Sequence, residues 1–128
     1  MIIHGIGVDI VDIRRIKKAF DKNKKFQNRI FSKIEIKNCL KIKNKFNCFA
    51  KRFAAKEAFS KALGTGISGG LKFNEIEVYN KNTGQPTIKV KGKTKNLINK
   101  ILSKKKYKIL LSVSDENFYA LAMVVLLV

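Results

Sequence analysis

Ile6, Val8 and Ile10 alternate with Gly5, Gly7 and Asp9, a period of two that predicts a strand over residues 2–10. Its apolar side chains share one face; the two glycines and the carboxylate share the other, which leaves room there for a ligand or another backbone. The period then becomes helical. Ile13, Ile16 and Phe20 fall on one side and Arg14, Arg15, Lys17 and Lys18 on the other, with Asp12 placed to cap a helix ending near Phe20. A short basic segment, 22–31, follows. Ser32 and Glu35 have capping-box spacing and open a helix over 33–42 that buries some of Ile34, Ile36, Cys39 and Leu40, with Asn44 and Asn47 marking its end. Residues 49–63, FAKRFAAKEAFSKAL, hold no Gly or Pro and stop at Gly64, a natural left-handed cap. Ala50, Ala54, Ala58 and Ala62 recur every fourth position along this helix, a strip suited to close packing, while Phe46, Phe49, Phe53 and Phe59 read as core.

The second half alternates again. FNEIEVY and TIKVK predict two short strands around the turn NKNTGQP. Residues 92–106 predict a basic amphipathic helix with Leu97, Ile98, Ile101 and Leu102 inside. YKILLSVS and FYALAMVVLLV predict a final hairpin turning at Asp115, Glu116 and Asn117. Strands and helices in this order define an α+β fold, helices packed on a small antiparallel sheet, as one domain over residues 1–128 with no repeat or linker.

Composition narrows the function. With 28 Lys and Arg against 9 Asp and Glu, the net charge is +19, yet 45% of the residues are hydrophobic, including nine Phe, which excludes a disordered polycation. Cys39 and Cys48, with His4 the only histidine, cannot make a four-ligand zinc site and are expected to be free thiols in a reducing cytosol. His4 reads as an ordinary strand residue. No leader pattern opens the chain, and its most apolar run, 118–128, is too short to span a membrane as a helix, so a soluble, cytoplasmic protein is expected.

Without a histidine triad or cysteine cluster, carboxylates and lysines must carry any catalysis. Asp9 ends an apolar strand, and Glu57 lies mid-helix with Lys61 one turn on. Spacing alone favours a surface ion pair for Glu57 with Lys61, and reads Asp9 equally as a strand-end or capping carboxylate. If both acids are functional, two hard oxygen donors suit Mg²⁺, which keeps waters and completes its shell with substrate phosphates, and Lys61 supplies a phosphate-binding charge. That combination describes phosphoryl transfer. GTGISG, 64–69, matches GxGxxG, but it follows a helix instead of a strand, so it reads as a glycine-rich turn bordering a ligand at Gly64.

IHGIGVDIVDIRRI and FAAKEAFSKALGTGI closely resemble the bacterial holo-acyl-carrier-protein synthases, the small phosphopantetheinyl transferases. GLKFNEIEVYNKNTGQP and LLSVSDENFYALAMVVL resemble the segments that follow in that family, so the likeness covers nearly the whole chain in order. The resemblance implies transfer of the 4′-phosphopantetheine arm of coenzyme A to a serine of apo-acyl carrier protein, releasing adenosine 3′,5′-bisphosphate, in support of fatty acid biosynthesis. It implies Asp9 and Glu57 as Mg²⁺ ligands, Lys61 on the pyrophosphate, and Glu57, directly or through a bound water, as base for the serine. Gly84, Gln85 and Pro86, with Ser114 and Asp115, would border the nucleotide, although many members have Lys at Gln85 and His at Asp115. The family also implies a homotrimer with its site between subunits.

Charge fits the same reading. Residues 14–61 hold 17 basic and three acidic residues, a local net charge of +14. The family docks acidic carrier proteins on its basic first helix, which implicates Arg14, then Arg15, Lys18 and Arg29, with Lys22 and Lys25 as weaker candidates. The alternative is a small basic RNA-binding or ribosome-associated module, which lacks any RNA-recognition signature here. Lys104, Lys105 and Lys106 match no motif and read as solvated surface.

Overall fold

A computed structural model describes residues 1–64 and 69–128. Strand β1 (Ile3–Asp12) passes directly into α1 (Ile13–Lys22), because the Asp12 carboxylate accepts from the Arg14 backbone N–H and caps the helix. The basic segment that follows is itself helical, α2 (Lys24–Ile30), capped by Asn23, whose side chain accepts from the Lys25 N–H. The capping box at Ser32 and Glu35 is formed and opens α3 (Lys33–Leu40). Helix α4 (Lys45–Leu63) begins four residues before the expected start and ends on Gly64 at φ 93°, the left-handed conformation that glycine adopts without steric cost.

After a single 3₁₀ turn (Phe73–Glu75) come β2 (Ile76–Asn80), β3 (Pro86–Val90), α5 (Gly92–Ile101), β4 (Lys108–Glu116) and β5 (Tyr119–Leu127). Helix α5 stops short of the three lysines at 104–106. The final hairpin pairs Glu116 with Tyr119, so its two-residue turn is Asn117 and Phe118, with Asn117 at φ 51°.

The fold is α+β, as the pattern predicts, but its strands divide into two antiparallel sheets. One has the order β1-β5-β4; the other is the pair β2-β3. The long helix α4 lies across the larger sheet. The alternation in β5 sends Ala120, Ala122, Val124 and Leu126 into this interface, where all are fully buried. On β1 it is the glycine face that turns inward. A Cβ on Gly5 would strike the Ala62 carbonyl oxygen, and one on Gly7 the Ala58 carbonyl oxygen, so strand and helix meet backbone to backbone. This explains the alanine period of α4: Ala54, Ala58 and Ala62 are buried and small enough to permit the approach.

The apolar face of β1 therefore points outward. Ile6, Val8 and Ile10 are 60%, 53% and 62% exposed, and the pairing of Val8 with Met123 and Ile10 with Leu121 extends the same exposed apolar surface onto β5. Phe20, Phe31 and Phe49 lie within 6.0 Å of one another between ring centroids; of the predicted phenylalanine stripe, Phe49 and Phe59 are fully buried in the core, while Phe46 and Phe53 are partly buried against it. Buried among these elements is an ion pair that no sequence pattern announced. Lys56 and Glu35 have no exposed side-chain surface, and Lys56 Nζ donates to Glu35 Oε1 at 2.7 Å. Burial lowers the Lys56 ammonium to about 8, against the opposing pull of the Glu35 charge.

The expectation of free thiols is overturned. The turn between α3 and α4 brings the Cα atoms of Cys39 and Cys48 to 5.5 Å, and their sulfurs are bonded. The two residues, nine apart in sequence, sit in the last turn of α3 and the first turn of α4 and meet across the turn between them; spacing alone carries no sign of that.

Candidate active site

The backbone seam between β1 and α4 builds the site. Asp9 continues the inward face of Gly5 and Gly7 along β1, and Glu57 lies one residue before Ala58 on the helix, so both carboxylates line one cavity of about 410 Å³ together with Arg15, Phe26 and Phe53. Lys61 stands one helical turn beyond Glu57, but its ammonium turns to β1. It donates to the Val8 carbonyl at 2.9 Å and lies 3.4 Å from Asp9 Oδ1, in place of the surface pair with Glu57 that the spacing allowed.

Burial and proximity disfavour the charged forms of both acids. Burial raises the Asp9 carboxyl above its ordinary value, with Lys61 opposing through its hydrogen bond and charge. Burial also raises Glu57, and the nearby Asp9 charge raises it further, again against Lys61. Two half-buried carboxylates that repel each other and are met by one partly exposed ammonium have hard oxygen donors to offer a divalent cation. Among the described residues no group of three or more His, Cys, Asp or Glu is gathered, so the remaining ligands of such a cation would be water and substrate.

Glu57 also borders a second cavity of about 560 Å³, lined by Phe26, Arg29, Phe53, Phe73 and Asn74. Of the basic candidates, Arg15 lines the carboxylate cavity, Arg29 lines this apolar one, and Lys18 is exposed on α1. Arg14 is exposed but engaged: its guanidinium pairs with Asp12 at 2.7 Å and lies 4.4 Å from the centroid of the Phe118 ring.

Gly84 and Pro86 share no cavity with Asp9 and Glu57. They line a larger one, about 780 Å³, with Asn47, Lys51, Arg52 and Asp115. Ser114 lies beside Asp115 at the hairpin end, in a separate shallow cavity. Asp115 accepts from Asn47 Nδ2 at 2.9 Å and pairs with Lys51 at 3.3 Å; these contacts hold its carboxyl below the usual range. Arg52 is buried, donates from Nη1 to Cys48 Sγ at 3.0 Å, and leaves Nε without a protein partner. Asn47, Lys51 and Arg52 gave no sequence signal, since they sit in a basic run with no spacing to set them apart. Gly64 caps α4 one turn beyond Lys61, and residues 65–68 of the glycine-rich turn lie outside the described residues.

An α+β fold with two carboxylates and a lysine on a strand-helix seam defines a candidate phosphoryl-transfer enzyme. The chain belongs to the 4′-phosphopantetheinyl transferase superfamily, whose family description matches residues 5–122. It is 48% identical over 125 residues to the holo-[acyl-carrier-protein] synthase of Blochmanniella pennsylvanica, covering 97% of this chain and 98% of that one. Among solved structures it resembles the holo-[acyl-carrier-protein] synthase of Neisseria meningitidis, at a TM-score of 0.85 and 36% identity, covering 98% of both chains. It also resembles that of Bacillus anthracis in complex with CoA (3′,5′-ADP), at a TM-score of 0.80 and 36% identity, covering 99% of this chain and 98% of the other.

Proposed function

We propose that this chain, as one catalytic domain over residues 1–128, is a Mg²⁺-dependent holo-[acyl-carrier-protein] synthase acting in the cytoplasm in support of fatty acid biosynthesis. It transfers the 4′-phosphopantetheine arm of coenzyme A to a serine of apo-acyl carrier protein. The observation that carries this reading is the convergence of Asp9, Glu57 and Lys61 on one seam, in a chain nearly half identical to a holo-[acyl-carrier-protein] synthase.

In the reaction the serine oxygen bonds to the phosphorus that bears the pantetheine arm, and the bond from that phosphorus to the bridging oxygen breaks. The leaving group is adenosine 3′,5′-bisphosphate. Glu57, directly or through a bound water, accepts the serine proton. Lys61 faces the charge that develops on the leaving phosphate. Asp9 and Glu57 would hold Mg²⁺, which when bound neutralises the pyrophosphate and orients it.

Two features support a trimer with its site between subunits. The outer face of the larger sheet presents a contiguous apolar surface that a lone chain leaves in water. The cavity at Gly84 and Pro86 is distinct from the one lined by the carboxylates of the same chain, so a neighbouring copy is the natural source of the nucleotide wall. Acidic carrier protein would dock on the basic face of α1 and α2, where Arg15 and Arg29 line the two cavities that Glu57 borders and Arg14 and Lys18 are exposed.

The test is incubation with apo-carrier protein, coenzyme A and Mg²⁺, followed by intact mass. Gain of the pantetheine arm, abolished by EDTA and in Asp9→Ala and Glu57→Ala, is the expected result. No gain alongside tight, salt-sensitive RNA binding would replace this reading with that of a basic RNA-binding module.

A further inference from the structure

We infer that Lys56 and Glu35, neither of which reaches a cavity, are positioning residues that fix both walls of the catalytic machinery in register with α4. The inference rests on the transferase reading and assigns the buried pair a role within it. Lys56 precedes Glu57 on the helix and points to the opposite side. Its three protons are all used: Nζ donates to Glu35 Oε1 at 2.7 Å and to the carbonyls of Phe73 and Ile76 at 2.6 Å each. Glu35 is as fully used. Oε1 also accepts from the Ser32 backbone N–H at 2.9 Å, and Oε2 accepts from the Val78 N–H at 3.0 Å.

Each end of this knot holds a wall. Phe73, gripped through its carbonyl, lines the apolar cavity that Glu57 borders. Val78, gripped through its N–H, lines the nucleotide-side cavity with Gly84 and Pro86, and it lies in the two-stranded sheet, which has no hydrogen-bonded strand in common with the larger one. The pair thus ties α3, the 3₁₀ turn and β2 to the residue beside the candidate base. A buried pair placed only for stability can be exchanged for neutral groups at little cost, whereas a pair that sets geometry cannot be exchanged without displacing what it holds.

The decisive variant is Glu35→Gln with Lys56→Met, which removes both charges and strands neither. With folding verified by circular dichroism, the expected result is a kcat lower on the order of tenfold and a KM for coenzyme A raised by more than any change in the KM for carrier protein, because the knot holds Phe73 and Val78 directly and α1 only through its neighbours. Wild-type kcat and KM values in the folded double variant would overturn the inference. Should that variant not fold, Glu35→Asp assayed at low temperature decides. It keeps both charges but is too short to serve Lys56 Nζ and the Val78 N–H together, so the same kinetic split supports the role and unchanged constants refute it. Absence of transfer by the unaltered chain would instead remove the transferase reading itself.

Discussion

Substituting Gly7 by Ala tests whether the seam between β1 and α4 sets the site. The new methyl would overlap the Ala58 carbonyl oxygen and stand 2.8 Å from the Ala62 nitrogen, whereas ordinary contact begins near 3.4 Å. Relief of the second contact alone parts strand and helix by about 0.6 Å, the difference between those distances, and the first demands more. Both obstacles are backbone, so no side chain can swing away. Overpacking of this kind costs about 1–3 kcal/mol. With about 2.1 cal/mol/K of unfolding entropy per residue over 128 residues, that is a fall in Tm of ~4–11 °C. Asp9 is two residues along the same face and moves with the strand, and a displacement near 1 Å at a catalytic group lowers rate on the order of 100-fold. The assay is thermal melting beside pantetheine transfer measured well below the variant's Tm. A lowered Tm with full activity would refute the claim that the seam positions Asp9, and an unchanged Tm would refute the close approach itself.

Reduction of the Cys39–Cys48 bond, which closes a loop of sequence separation nine, should cost about 2.7 kcal/mol of unfolding free energy by loop entropy; urea unfolding with and without dithiothreitol measures it, and two titratable thiols in untreated protein would refute the bond. Asp9 and Glu57 are both raised above their ordinary values of 3.8 and 4.5, so the folded state binds protons more readily than the unfolded one. Their contribution therefore favours folding below pH ~4 and is lost as pH rises through the raised folded values. Glu57→Gln should accordingly melt higher than the parent at pH 7, with the gap closing toward pH 4, while transfer is lost; a lower Tm at pH 7 would contradict this. Val8→Lys places a charge at the middle of the exposed apolar face and should yield monomer by analytical ultracentrifugation at micromolar concentration; a parent chain that is itself a fully active monomer would defeat the trimer. Arg14→Ala should raise the KM for carrier protein well beyond that for coenzyme A, and equal changes in both would move docking elsewhere.

Local signals in the chain proved sound where the physics is local. Asp12, the Ser32–Glu35 box and Gly64 each cap a helix, because a cap is settled by its own turn of backbone. The alternation of β1 was legible too, but not its direction: the side with least hydrophobic area faces the core because two helical carbonyls occupy the space where side chains would stand. Asp9 and Glu57 were found as acids out of place. The Lys61 contact with Asp9, the Cys39–Cys48 bond and the cavity at Gly84 and Pro86 were not found in the residues alone, since each joins parts of the chain whose meeting depends on how helices cross. Glu35 illustrates the limit most clearly. Its role in the capping box was readable, and the same carboxylate also holds a lysine 21 positions away, which nothing local encodes.

The inward face of β1 has a cost for a chain alone in dilute solution. A strand attached through glycines buries little side-chain area there beyond Val11, so its hold on the molecule is largely the hydrogen-bonded ladder with β5 and the contact of its backbone with α4. Apart from Val11, which is buried in the core, the hydrophobic weight it carries, in Ile6, Val8 and Ile10, is on the side a neighbour would cover. If copies meet on that face, association supplies the missing grip, and the carboxylate riding on the strand is steadied by the same event that brings a second chain's nucleotide wall within reach. Specific activity would then climb with enzyme concentration, and quaternary structure would act as the final step of folding for this one strand.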